Sequence, residues 1–489
     1  MSENPPLIQT QPCPDSTQLD LLLINAPLRD YRLRPRVNDY TLPVLGMAYI
    51  ATYATARGYH VGVLDAEAAG LPVDETIDII NQAHPRWAGF NLLAPTYELT
   101  ATIAAALDPG IRIMAGGHHA KAMPERILAD PRMACCDALI LGEAETRVAE
   151  LLADHRNRAD LPAVMWVDPV LGQPVTGGRP GTAHHLAPDI NELPFVDRAY
   201  LAQDPYVAGD GLIEANMVGA RGCPYDCSFC GAAVSANPDV TIRVRDPLNI
   251  IAEMQHLRDR HAVRAFRFVD DLFLGAGRII DQMMHAFEQA DIGGWAVWDA
   301  TGRINVLDRR SEAQLDQLAA CGLREVALGI ESGSERVLSY IDKRITPGMV
   351  LSVVERLLAR RINVKGYFIL GFPGESRAEL LQTVDLVRRL WDVTDRHAGT
   401  FRASVFQFRP YPGTPEWARL MATGRYTADQ LLNYAPVDLG ADDAALRGRD
   451  EFNFTSGIQF GETPENEIHQ HLAELAREQH ARTHSAGKH

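Results

Sequence analysis

Three cysteines fall within eight residues in the run Arg221-Gly222-Cys223-Pro224-Tyr225-Asp226-Cys227-Ser228-Phe229-Cys230. The CxxxCxxC spacing puts three thiols on one tight loop. Three thiolates can hold three corners of a cubane iron–sulfur cluster, whose full complement is four cysteines. The missing fourth ligand leaves one iron with an open position, the same feature that separates a reactive metal centre from a structural one. Zinc is the competing reading, but a knuckle wants a fourth Cys or His at a short repeated spacing, and the loop offers none. Of the remaining cysteines, Cys135-Cys136 and Cys321 read as buried small hydrophobes. With Cys13 the total is seven, an odd count that argues against a secreted disulfide scaffold.

Other candidates stand where apolar runs end. Phe268-Val269-Asp270-Asp271-Leu272-Phe273 offers two carboxylates. One could accept hydrogen bonds from an ammonium group and the other cap the following helix, and Asp270 and Asp271 are not told apart. Gly329-Ile330-Glu331-Ser332-Gly333-Ser334 and Phe368-Ile369-Leu370-Gly371-Phe372-Pro373-Gly374-Glu375 each close a strand-like run. Arg303 follows another, with Asp299 near it, and Tyr367 sits late in a strand; Asp299 and Tyr367 are candidate proton donors or acceptors.

Strands and helices must position these groups. Leu19–Ala26, Val61–Asp65, Ala88–Leu92, Ile111–Gly117 and Ala138–Gly142 are apolar runs separated by helical spacing, including a helix over Met47–Arg57 that stops at Gly58. This alternation predicts a parallel, doubly wound α/β domain over 19–154, with ligands at the strand carboxyl ends. From Ile213 the alternation resumes. Six strands are expected, at 216–220, 265–269, 295–300, 325–330, 363–370 and 404–409, with helices between them. That is fewer than a closed TIM barrel uses, so a partial (β/α)6 barrel is expected over 206–417. Residues 1–18 read as a disordered leader and 155–205, rich in Pro, Gly and Asp, as a structured linker. Residues 418–489 form a small α-rich segment: acidic and loop-like over 438–450, then a helix over 464–482 capped by Thr463.

The cysteine loop, with Phe229 before its last cysteine and Gly231 after it, resembles that of the radical S-adenosylmethionine (SAM) enzymes. The resemblance implies a [4Fe-4S] cluster on Cys223, Cys227 and Cys230 whose open iron chelates SAM and, once reduced, cleaves it to a 5′-deoxyadenosyl radical. It also implies SAM contacts for Asp270 or Asp271, for Glu331 and Ser332, and for Gly374 and Glu375 against the adenine. Arg303 would pair with the SAM carboxylate or with a neighbouring acid. Residues 19–154 resemble the cobalamin-binding domain that precedes many such barrels, through Pro43-x-x-Gly46, Gly58-Tyr59-x-Val61, Gly116-Gly117-x-His119-Ala120 and Gly142-Glu143-x-Glu145-Thr146. Gly116, Gly117, His119, Gly142 and Glu143 are the residues it implies for cobalamin. Two positions depart from the pattern: Lys121 stands where Thr or Ser is usual, and Ala144 where Gly is usual. The first strand is followed by no Asp-x-His-x-x-Gly loop, so no histidine is offered there as a lower axial ligand.

The expected function is therefore a cobalamin-dependent radical methyltransferase acting on an unactivated carbon of a small natural-product molecule. The alternative is a radical dehydratase, epimerase or cyclase of a sugar or aminocyclitol whose N-terminal domain is vestigial and binds no cobalamin. A non-enzymatic iron–sulfur or cobalamin sensor would not need the Glu331-Ser332 and Gly374-Glu375 motifs. An electron donor of flavodoxin or ferredoxin type is implied. A net charge of −16 argues against a sequence-independent grip on nucleic acid. No apolar run approaches the ~20 residues that span a bilayer, and an oxygen-sensitive cluster suits a reduced cytoplasm.

Overall fold

The computed structural model describes residues 7–11, 18–32, 42–178, 187–236, 242–437 and 453–486. The expected acidic loop over 438–450 and most of the expected leader lie outside the described residues. The chain divides into two compact units, the first ending at Pro205 and the second beginning at Tyr206.

The first unit is built on eight strands: β1 (Ile8–Thr10), β2 (Leu21–Asn25), β3 (Val61–Asp65), β4 (Trp87–Asn91), β5 (Arg112–Gly116), β6 (Cys136–Ile140), β7 (Val164–Val167) and β8 (Pro174–Thr176). They lie in the order β1-β3-β2-β4-β5-β6-β7-β8. Strands β2 to β6 are mutually parallel, and the chain reverses its direction of travel between β2 and β4. This is the doubly wound topology, whose switch point lies at the carboxyl ends of those two strands. Runs such as Leu21-Leu22-Leu23-Ile24 are buried along their whole length, because helices cover both faces.

One expectation needs correction here: Ile8–Thr10, placed in a disordered leader, pairs antiparallel with β3. Within the expected structured linker, residues 164–176 form a hairpin that extends the sheet antiparallel to β6.

The second unit has β9 (Tyr206–Val207), β10 (Ile213–Met217), β11 (Ala220–Arg221), β12 (Arg243–Val244), β13 (Ala265–Phe268), β14 (Val297–Gly302), β15 (Leu323–Glu331), β16 (Asn363–Leu370), β17 (Phe401–Gln407), β18 (Ala435–Pro436) and β19 (Phe454–Thr455). The main sheet runs β17-β16-β15-β14-β13-β10-β9, six parallel strands with antiparallel β9 at one edge. The two end strands do not pair, so the barrel is open. In β16, Val364, Gly366, Phe368 and Leu370 are buried, while Asn363, Lys365, Tyr367 and Ile369 share the other, half-buried face.

The last helix, α1 (Glu465–Ala486), lies against β17 and sends Gln479 to accept the Ala403 N–H at 2.9 Å. An unpaired strand edge is thereby covered. This helix begins one residue later than expected. The Pro464 carbonyl accepts its first hydrogen bonds and the Thr463 hydroxyl is buried without a partner, so Thr463 is not the cap.

Candidate active site

The cysteine loop follows β10 and is fixed from several sides. Gly219 N–H donates to both oxygens of Asp270, at 2.9 and 3.1 Å. A Cβ at Gly219 would stand 2.4 Å from the Phe273 ring, so this approach is open only to glycine. Between the second and third cysteines, Ser228 N–H donates to Ile341 O, Ser228 O accepts from Glu416 N–H, and the Ser228 hydroxyl donates to Glu416 at 3.2 Å. Glu416 is fully buried and also accepts from Tyr340 OH at 2.5 Å and pairs with Arg419 at 3.0 Å. The Phe229 ring meets Phe372 edge-on at 5.6 Å.

All three thiols are free; Cys227 is buried, Cys223 and Cys230 half-buried. Burial pushes the Cys230 thiol up to about 12 and raises that of Cys223. A metal that takes these ligands must displace their protons.

Among the described residues Arg303 contacts no carboxylate, contrary to one of its two expected roles. Its guanidinium stacks 3.6 Å over the Tyr225 ring, donates to Cys227 Sγ at 3.4 Å and to Lys343 O at 2.6 Å, and is braced by Asn305 Oδ1 at 3.0 Å. A cation donating to a cysteine sulfur stabilises negative charge there. Lys343 Nζ pairs with Glu331 Oε1 at 2.7 Å in a buried ion pair. Glu331 has φ +68°, and a Cβ at Gly329 would stand 2.3 Å from the Glu331 carboxylate. Gly329 therefore makes room for the pair.

The two aspartates now separate. Asp270 is buried on the backbone of the loop entry, and burial lifts its carboxyl to about 7; Asp271 is exposed. Ser332 is fully buried, with its Oγ accepting from Ser334 N–H and lying 3.1 Å from Thr383 Oγ1. It braces the start of the following helix. Glu375 folds back on its own loop, accepting the Gly371 N–H at 2.6 Å, while its other oxygen, Oε1, has no partner; burial lifts its carboxyl to about 7. Gly374, at φ +68°, allows that turn, and its carbonyl accepts from Arg336 at 2.7 Å.

Asp299 and Tyr367 do not join this group. Asp299 lies in the amino-terminal half of β14, bound by Arg324 at 2.6 and 2.9 Å and near Arg267 at 3.5 Å. It is a paired buried charge below the working end, not an available acid. Tyr367 sits higher, with Lys365 Nζ 4.7 Å from its ring and Phe406 at 6.2 Å.

In the first unit, Gly116 ends β5, and Gly117 (φ +99°) and His119 follow it; Gly142 (φ +99°) and Glu143 follow β6. All stand at strand carboxyl ends. A Cβ at Gly117 would meet Asn91 Oδ1 at 2.3 Å, so the domain's own packing already requires glycine there. His119 is buried against Tyr97, its Nδ1 has no partner, and burial lowers its pKa to about 4.

Comparison with known proteins gives two domain matches. The radical SAM superfamily model matches residues 217–387, and the B12 binding domain model matches residues 36–152. The chain carries a radical SAM domain preceded by a B12 binding domain. It is 26% identical over 408 residues to an uncharacterized methyltransferase of Pyrococcus horikoshii, covering 82% of this chain and 84% of the relative. It is 25% identical to the cytidylyl-2-hydroxyethylphosphonate methyltransferase of Streptomyces wedmorensis, covering 76% of each. The structure of the radical SAM methyltransferase TsrM from Kitasatospora setae, with cobalamin and a [4Fe-4S] cluster bound, superposes with TM-score 0.60 at 17% identity, over 86% of this chain and 81% of that one. That last likeness is one of fold.

The enzyme's cofactors are accordingly a [4Fe-4S] cluster, SAM and cobalamin. The residues present fit them. Three free thiols on a braced loop, with a guanidinium already donating to one sulfur, form a cluster cradle with one ligand too few. In the first unit, the strand-end loops carry a buried imidazole nitrogen without a partner, an atom that a bound polar group would satisfy.

Several parts of this site carried no sequence signal. Glu416 stands 188 residues from Ser228, and nothing in Pro415-Glu416-Trp417 announces the contact. The sulfur contact of Arg303 was equally hidden.

Proposed function

We propose that the enzyme is a cobalamin-dependent methyltransferase acting on an unactivated carbon of a small molecule. The observation that carries this reading is the presence in one chain of a three-cysteine cradle at the mouth of an open barrel and a B12 binding domain. Two relatives named as methyltransferases support it. With its cofactors bound, such a site supplies a 5′-deoxyadenosyl radical and a transferable methyl group.

The chain's own residues orient and shield. Cys223, Cys227 and Cys230 hold the cluster, and Glu416 keeps Ser228, and hence the loop between the last two thiols, in place. Arg303 stabilises negative charge on Cys227. Asp271, exposed beside the loop, is the acid that accepts from the SAM ammonium, while Asp270 holds the loop entry. Gly374 and Glu375 shape the loop that lies against the adenine. Gly117, His119, Gly142 and Glu143 line the strand ends where the corrin or its tail is seated. A flavodoxin- or ferredoxin-type donor reduces the cluster, and the substrate belongs to natural-product chemistry.

The test is anaerobic reconstitution with iron, sulfide and hydroxocobalamin, followed by desalting. Corrin absorbance retained with the protein, together with 5′-deoxyadenosine and S-adenosylhomocysteine formed from SAM, supports the proposal. Cluster absorbance and SAM cleavage without retained corrin would instead favour a radical dehydratase, epimerase or cyclase. Cys227→Ala should abolish both cluster absorbance and SAM cleavage.

A further inference from the structure

Beyond β17 the chain runs through Phe408-Arg409-Pro410-Tyr411 toward Glu416, on the same strand-end face as the cysteine loop. Phe408 packs on Phe372 at 5.2 Å, and Phe372 on Phe229 at 5.6 Å. At the other end of the segment, Glu416 N–H donates to Ser228 O at 2.8 Å. The segment is thus clipped to the cysteine loop at both ends.

Arg409 is 5% exposed. Its guanidinium stacks 3.8 Å from the centroid of the Tyr434 ring, and Nη2 donates to Leu431 O at 2.8 Å. Its Nε and Nη1 have no hydrogen-bond partner, and neither has the buried hydroxyl of Tyr434. No carboxylate of the described residues lies within salt-bridge distance of Arg409, although the chain is strongly acidic overall. Elsewhere in the same unit buried Arg245 pairs with Glu253 at 2.5 Å, and buried Arg303, likewise without a carboxylate, has its N–H groups taken up by Cys227 Sγ, Lys343 O and Asn305 Oδ1.

A guanidinium cannot escape burial by losing its proton. An unpaired buried charge is strongly destabilising, so a structure that keeps one has a use for it. Two unfilled N–H positions in a fixed plane match a planar or tetrahedral oxyanion, and the Tyr434 hydroxyl adds a third donor beside them. The chain's net charge of −16 would repel an anion at long range. Capture must therefore come from short-range donors of this kind.

We propose that Arg409 and Tyr434 form a subsite for an oxyanion, a carboxylate or phosphoryl group, carried by the substrate. This rests on the small-molecule reading above and narrows it to an anionic substrate anchored at the end of β17.

The test uses full-length, anaerobically reconstituted protein. Binding of inorganic phosphate, methylphosphonate and acetate is measured by calorimetry at constant ionic strength, with chloride as the reference. A saturable response is expected for at least one probe. Preference for phosphate and methylphosphonate assigns a phosphoryl group, and preference for acetate assigns a carboxylate. Arg409→Gln should weaken the preferred probe about tenfold or more, and Tyr434→Phe, which keeps the stacked ring, a few fold. Should Arg409→Gln fail to fold, Tyr434→Phe still decides the matter. The inference is overturned if no oxyanion binds better than chloride, or if folded variants bind as the wild type does. Because this binding needs no turnover, an enzyme that transfers methyl groups but ignores oxyanions sinks only this inference. One that holds an oxyanion through Arg409 yet transfers no methyl group sinks only the proposed function.

Discussion

The two ends of the barrel treat buried polar groups differently. Toward the strand amino ends, Glu214 accepts from Arg324 at 2.6 Å and Arg267 at 3.0 Å, and also bonds Tyr206; Arg324 completes a two-pronged contact with Asp299. Each carboxylate there has a cation and each cation a carboxylate. At the carboxyl ends, Glu375 Oε1, Arg409 Nε and Nη1, and the Tyr434 hydroxyl have no partners, and none of the three thiols is in a disulfide. A buried polar group without a partner costs about 1–3 kcal/mol, so the contrast is not one of neglect. The closed end satisfies itself, and the open end leaves donors and acceptors for what must bind.

The largest effect should come from breaking the closed end. Asp299→Asn removes one charge from a buried network and should destabilise the second unit by roughly 3 kcal/mol, read as a lower midpoint in urea unfolding. SAM cleavage per folded molecule should not change. A stable variant that no longer cleaves SAM would put Asp299 in the chemistry and erase the contrast between the two ends.

Next in size is a pH effect at Glu375. Its folded carboxyl sits at about 7, against 4.5 for an ordinary glutamate, because burial disfavours its charge. Glu379 adds repulsion, while Arg336 and the Gly371 and Phe372 backbone act against the shift. The folded state holds this proton more tightly than the unfolded state. Stability from this group is therefore greatest below pH 4.5 and falls as pH rises toward 7. Glu375→Gln should flatten that part of the stability curve and leave the variant up to roughly 2 kcal/mol more stable than wild type at pH 8. Asp270, lifted in the same direction, supplies a residual slope. An unchanged curve would mean that Glu375 is not desolvated.

A smaller change is expected at Arg303. Arg303→Gln removes the charged donor from Cys227 Sγ, so the added electron of the reduced cluster is less well stabilised. The midpoint potential should fall by on the order of tens of millivolts, measured by EPR-monitored titration, with the cluster still assembled. A potential that does not move would reduce the 3.4 Å contact to packing.

What was legible in the chain follows from the range over which each signal acts. The cysteine spacing is local and was read directly. So were β3 and β16, whose expected bounds of 61–65 and 363–370 coincide with the observed strands, because long apolar or alternating runs encode a strand without outside help. Ile8–Thr10 and Tyr206–Val207 are too short to carry a period, and only the edges they pair with make them strands. The site was legible as motifs but not as contacts. Asp270 and Asp271 are adjacent in sequence and opposite in exposure, a difference set by Gly219, 51 residues earlier. Arg303 and Cys227 meet across 76 residues, and no pattern within either segment points to the other.

Ser332 offers the finest test of the contrast, because its motif suggested a ligand contact and its surroundings do not. The hydroxyl has no exposed surface, accepts from Ser334 N–H at 3.1 Å and lies 3.1 Å from Thr383 Oγ1, which itself accepts from Gly333 N–H at 2.9 Å. It belongs with the self-satisfied groups although it stands at a strand carboxyl end. Ser332→Ala should therefore lower stability by about 1 kcal/mol, the net worth of an ordinary hydrogen bond, and leave SAM affinity as it was. If calorimetry shows SAM binding weakened tenfold with stability intact, the hydroxyl turns toward the ligand when SAM arrives. The division between closed and open ends would then be a property of the empty site alone.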